Sequence, residues 1–133
     1  MRAWVLLVLL ALSAPAAAQD WPLLRVYDGD TFYVEIPALP PELREVGIRI
    51  RGIDTPEIGG KARCGREKSR GLRAKRRLAE LLTGAIEYRD LDWDKFGGRI
   101  DATVTAGGRD VANTLIREGL AHPYSGGKRA GWC

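Results

Sequence analysis

RVYDGDTFYVE, residues 25–35, reads as a β-hairpin with one residue too many in its turn. Leu23 to Tyr27 is apolar and β-branched enough for a strand. TFYVEI, residues 31–36, then alternates with a period of two. Phe32, Val34 and Ile36 share one face, and Thr31, Tyr33 and Glu35 share the other. Asp28-Gly29 between the runs is a strong hairpin signal. Asp30 is left over. It is either a third turn residue or a carboxylate placed at the head of a strand.

Outward from this hairpin the pattern continues. A proline-rich connection, residues 37–45, leads to VGIRIRGI, residues 46–53. There Val46, Ile48 and Ile50 are expected to face inward, with Arg49 and Arg51 outward. DTPEIGGKARCG is loop. A helix is expected from about Glu67 to Leu82, with Gly71, Ala74, Leu78, Leu81 and Leu82 in one apolar stripe and Gly84 as its stop. Residues 85–93 and 99–106 read as two more strands joined by DKFGG. Asp110 is placed to cap a second helix that buries Val111, Ala112, Leu115 and Ile116 and ends at Gly119. A polar, irregular tail follows. Three strands, a helix, two strands and a helix, read as an antiparallel meander, match an all-β five-stranded OB-fold barrel with two helices. A generic α+β sandwich has the same order of elements, and the pattern alone leaves both open.

The 133 residues suffice for one domain with a small core. Lys and Arg outnumber Asp and Glu 21 to 17, and the excess is concentrated. Lys61 to Arg77 holds nine basic residues and one acid, Glu67. Such a block is a solvated helix face or a phosphate-binding footprint. The first residues, MRAWVLLVLLALSAPAAAQD, carry one early Arg, an apolar run and an A-x-A site. They are expected to be a signal peptide, residues 1–18, cut after Ala18, leaving a domain over 19–133 in a secreted or periplasmic protein. In that compartment the two cysteines, Cys64 and Cys133, are expected to form a disulfide. A Cys/His metal site lacks support, because no C-x-x-C or histidine cluster accompanies them. The one histidine, His122, reads as a surface residue without a partner, which argues against histidine-based acid–base chemistry.

The polar residues at strand ends form a more informative set. Asp30 opens the second strand, Asp54 closes the third, Glu57 follows by three, and Arg99 opens the last strand. Arg49 lies on the polar face of the third. Singly, each is an ordinary turn acid or edge arginine. Together, two aspartates can seat a hard cation, two arginines can hold phosphate oxygens, and a glutamate can take a proton from water.

At these residues the sequence resembles a known family. DGDT (28–31), IRIRGIDTPE (48–57), DKFGGR (94–99) and VANTLIREGLA (111–121) are similar, in order and separation, to the staphylococcal nuclease (thermonuclease) family. The resemblance covers residues 23 to 124. It implies an OB-fold barrel and calcium-dependent hydrolysis of DNA and RNA at the 5′ P–O bond, leaving 3′-phosphates. By position, Asp30, Asp54 and the Thr55 carbonyl would be Ca2+ ligands, Glu57 the general base, and Arg49 and Arg99 the phosphate-binding arginines. Lys95, Phe96 and Tyr124 would contact substrate. The chain departs from the family in having Lys95-Phe96-Gly97-Gly98 before Arg99, one glycine longer and without a tyrosine, and in stopping soon after the second helix, so that a third family helix is expected to be missing. The implied protein is a monomer with nucleic acid as its partner, no protein partner and no membrane contact after signal removal. The competing readings are a non-catalytic OB-fold module that binds nucleic acid and a disulfide-stapled module that binds protein. Neither needs all five of Asp30, Arg49, Asp54, Glu57 and Arg99.

Overall fold

In chain order the elements are β1 (Leu23–Val26), β2 (Thr31–Glu35), β3 (Glu45–Ile50), β4 (Ile53–Asp54), α1 (Gly65–Leu81), β5 (Ile86–Trp93), β6 (Arg99–Ala106), β7 (Arg109–Asp110), α2 (Val111–Arg117) and β8 (His122–Pro123). They come from a computed structural model that describes residues 19–133. The leader expected over 1–18 lies outside the described residues.

One sheet runs in the order β1-β2-β3-β6-β5, with β7 added to β6. It curls into a five-stranded half-barrel with two helices, consistent with an OB-fold. At the two ends of the curl, Trp21 stacks on Tyr88 of β5 with ring centroids 4.7 Å apart. The alternation that defines β2 and β3 supplies the core. Phe32, Val34, Ile48 and Ile50 are fully buried and meet Leu78 of α1 and Leu115 of α2. Each such side chain contributes roughly 1.5–3 kcal/mol of burial. The α1 stripe is the one the spacing predicts: Gly71, Ala74, Leu78 and Leu81 are buried, and Leu82 just after it is too.

Three expectations need correction. The sheet is not an antiparallel meander throughout. β3 and β6 pair in parallel, Gly47 with Arg99 and Arg49 with Asp101. The α1 crossover makes this possible, since a parallel pair needs a long connection. Second, the run 46–53 is not one strand. Gly52, at φ +82°, breaks it after Ile50, and Ile53–Asp54 restarts in another sheet, paired with His122–Pro123. Third, His122 is not a surface residue without a partner. Its ring stacks on Trp132, centroids 3.6 Å apart and planes 3° from parallel.

Candidate active site

The hairpin turn delivers Asp30 through its backbone. Tyr27 and Asp28 N–H both donate to the Thr31 carbonyl, and Asp30 N–H donates to Asp28 Oδ1 at 3.0 Å. The Asp30 carbonyl then accepts from Ile50 N–H at 2.9 Å, so the residue is already part of the ladder with β3. Gly29 is needed for close approach. A Cβ there would sit 2.7 Å from Ala74 Cβ and 2.8 Å from Thr55 Oγ1. The turn therefore packs directly on α1 and on the loop after Asp54. Asp30 is buried; its Oδ1 accepts from Thr31 Oγ1 at 3.0 Å and its Oδ2 from Thr55 N–H at 3.2 Å.

Arg49 reaches the same carboxylate, with Nη2 3.4 Å from Asp30 Oδ2. Its guanidinium is fixed by the strand break at Gly52. Nη1 donates to the Ile50 carbonyl at 2.7 Å and Nη2 to the Ile53 carbonyl at 2.8 Å. Arg99 starts β6 one strand away. Its stem crosses Gly47, where a Cβ would lie 2.9 Å from Arg99 Cγ. Asp94 Oδ2 accepts from Arg99 Nη2 at 2.8 Å. Burial alone would raise the pKa of Asp94, but the Phe96 N–H and the Arg99 guanidinium outweigh it and hold the carboxyl low. The two glycines before Arg99 fold as a hairpin tip. Gly97 N–H donates to the Asp94 carbonyl, and Gly97 and Gly98 take φ of +73° and +68°. Asp94 N–H still donates to the Arg99 carbonyl, so the added length bulges outward before β6 begins.

Glu57 is held by α1. Gly71 lets the Pro56-Glu57 backbone lie on the helix: a Cβ there would be 2.6 Å from the Glu57 carbonyl and 2.7 Å from that of Pro56. The result is a cleft of ≈ 470 Å³ into which Asp28, Asp30, Arg49, Glu57, Arg99 and Arg129 all face. Asp54, itself buried, opens on an adjoining cleft together with Thr55 and Glu57. Lys95, Phe96 and Tyr124 line a third, with Arg49 and Arg99. The residues singled out from the sequence thus fall around one connected region.

The electrostatics are those of a crowded anionic seat. Burial, and then the neighbouring Asp30 charge, push the Asp28 carboxyl up to about 7. Burial also raises Asp54, a rise opposed by the Arg129 guanidinium. A hard cation would relieve both effects, and the donors offered here are oxygens only. Among the described residues no group of three Asp, Glu, His or Cys side chains is gathered as a metal cluster. The donors present, carboxylates and backbone carbonyls, are of the kind a hard cation takes.

Sequence reasoning missed Arg129. Its Nη1 lies 3.1 Å from Glu57 Oε1 and its Nε 3.6 Å from Asp54 Oδ1. The signal for it was indirect: pairing Cys133 with Cys64 brings the tail beside the loop after Glu57. That disulfide is formed, with Cα atoms 6.0 Å apart. Glu67 was also missed. It is buried at the start of α1, its Oε2 accepting from Arg63 N–H while its own N–H donates to Cys64 Sγ. The disulfide sulfur thus caps the helix N-terminus, while Glu67 reaches back past the N-cap residue to Arg63 N–H, a variant of the capping box. The basic helix is less available than its composition implies. Arg77 is tied to Glu118 at 2.8 Å and to Glu80 at 3.1 Å. From the basic block, Lys61 and Arg63 line the clefts around the acids.

The model of the family described as Staphylococcal nuclease homologue matches residues 47–130, a span that takes in Arg49, Asp54, Glu57, Arg99 and Arg129. No curated protein matches the chain.

Proposed function

This chain belongs to the staphylococcal nuclease homologue family, and from that premise we propose that it is a calcium-dependent nuclease that hydrolyses DNA and RNA and leaves 3′-phosphates. Members of the family are typically phosphodiester hydrolases that use Ca2+. The observation that carries the reading is the shared cleft of Asp30, Arg49, Glu57 and Arg99, four groups drawn from four separate segments. A nucleic-acid-binding module has no use for a glutamate and a cation seat beside two arginines.

In this reading Asp30 and Asp54, with the Thr55 carbonyl, hold the cation. A cation held there would supply Lewis-acid polarisation of a phosphoryl oxygen and would offset charge building on phosphorus. Glu57 accepts the proton of the attacking water. Arg49 and Arg99 each keep N–H donors beyond those in their protein contacts and hold the equatorial oxygens of the transition state. Lys95 and Phe96 at the hairpin tip, and Tyr124 opposite, grip the flanking nucleotides. The disulfide agrees with an extracytoplasmic protein, and we assign residues 1–18 to a cleaved leader and 19–133 to the nuclease domain.

The test uses purified protein spanning residues 19–133, single-stranded DNA and RNA, and Ca2+ or a chelator. Cleavage in Ca2+ with 3′-phosphate ends, abolished by chelator, is expected. Binding without cleavage under both conditions would leave only the non-catalytic module.

A further inference from the structure

Arg129 stands where the three clefts of the site meet. It lines the one with Arg49, Arg99 and Glu57, the one with Asp54 and Thr55, and the one with Lys95 and Tyr124. Its contacts with the acids use Nη1 and Nε. Nη2 takes part in neither contact with the acids, and the side chain is 52% exposed. Tyr124 lies beside it, the guanidinium carbon 5.7 Å from the ring centre.

The tail that carries Arg129 is built against the site. His122 pairs with Asp54 itself, and Tyr124 N–H donates to the Gly52 carbonyl at 2.9 Å. Tyr124 Oη donates to the Gly127 carbonyl at 2.9 Å and folds the chain back. Beyond Arg129, Trp132 is buried against His122, and Cys133 is bonded to Cys64. Arg129 is thus anchored on both sides, at Tyr124 before it and at Trp132 and Cys133 after it. An exposed ion pair contributes little to stability, so anchoring of this kind is out of proportion to a surface salt bridge.

We propose that Arg129 is a third phosphate-binding arginine of the cleft, delivered by the disulfide-anchored tail. It rests on the nuclease reading for the identity of its ligand, a nucleic-acid phosphate. With one edge held by Glu57 and Asp54, the guanidinium offers its remaining donors to a backbone phosphate beside those held by Arg49 and Arg99. The anchored tail also places Tyr124 against the same strand.

The test reads binding rather than turnover. A fluorescent oligothymidylate is titrated into the protein in chelator at several salt concentrations, and anisotropy gives the affinity. Losing one phosphate contact to a single strand should lower the slope of log K against log salt by about 0.7. Arg129→Gln should show that loss and about tenfold weaker binding at low salt; Arg129→Lys should recover part of it. Lys128→Gln, which removes the same charge one residue away and outside the clefts, should leave the slope unchanged. Cys133→Ser, checked by circular dichroism for folding, should behave like Arg129→Gln. An unchanged slope in Arg129→Gln, an equal loss in Lys128→Gln, or wild-type protein that does not bind the oligonucleotide overturns the proposal. A wild-type protein that shows the expected binding pattern yet cuts nothing in Ca2+ sinks the nuclease reading and leaves Arg129 as a phosphate ligand.

Discussion

The two halves of the site are built differently. Asp30, Arg49, Asp54 and Arg99 stand on or beside the strands of the barrel; Glu57 and Arg129 reach in from a loop and a tail. Arg49 is 15% exposed and held by two backbone carbonyls. Arg129 is 52% exposed and held by two carboxylates. Backbone hydrogen bonds fix position through the sheet. Side-chain ion pairs fix it only as well as the segment beneath them is tethered. The strand-borne half should therefore fail when a functional group is removed. The loop-borne and tail-borne half should fail also when its tether is altered.

The strongest way to break this comparison is Asp54→Ala. It removes the proposed cation ligand of the strand-borne half and should nearly abolish Ca2+-dependent cleavage in initial-rate measurements. Calorimetry should show much weaker Ca2+ binding while circular dichroism shows a folded barrel. Full activity in this variant would mean that Asp54 is not a ligand.

Arg99→Lys is next. It keeps the charge and loses the planar fork, so kcat should fall by at least about a hundredfold if the group acts on the transition state. Single-turnover kinetics near the wild-type rate would move the role elsewhere.

Gly71→Ala tests whether Glu57 depends on the backbone under it. The new Cβ must displace the Pro56 and Glu57 carbonyls. A shift of about 1 Å at a reacting group costs up to about a hundredfold, and overpacking costs about 1–3 kcal/mol, readable by urea denaturation. Gly60→Ala, where the added carbon meets nothing within 4 Å, should leave both unchanged. Equal effects at the two positions would show that the helix contact does not position Glu57.

The smallest effect on the chemical step itself, though not on stability, is expected from reducing the Cys64–Cys133 bond, which spans 69 residues. The chain-entropy estimate for such a loop is at most about 4 kcal/mol. Differential scanning fluorimetry should show a lower Tm with reductant. An unchanged Tm would show that the tail is held by the His122–Trp132 stack and the β4–β8 pairing alone.

Several features were legible because they depend on neighbours in the chain. The alternation of β2 and β3, the Asp110 cap accepting from Asn113 N–H at 2.9 Å, and the stripe of α1 each follow from residues a few positions apart. Asp30 drew notice because Asp28-Gly29 alone is enough for a hairpin turn, although in the structure Asp30 is the third residue of that turn as well as a buried carboxylate. The glycines were legible in kind and not always in reason. Gly97 and Gly98 do take left-handed angles, whereas Gly29 and Gly71 are needed because another part of the chain lies against them.

Composition, spacing and turn chemistry by themselves determined the order of strands and two helices and a set of acids and arginines at strand ends, and left a barrel and an α+β sandwich both open. Tertiary structure alone decided that β3 and β6 run parallel, that Glu67 is buried beside the disulfide, that Arg77 faces Glu118, and that Arg129 meets Glu57 from 72 residues away. The physical reason is closure of the chain. Periodicity and capping act through bonds between near neighbours, but which distant segment covers a strand end depends on how the sheet curls, and one arginine in a basic sequence differs from the next only by where that curl leaves it.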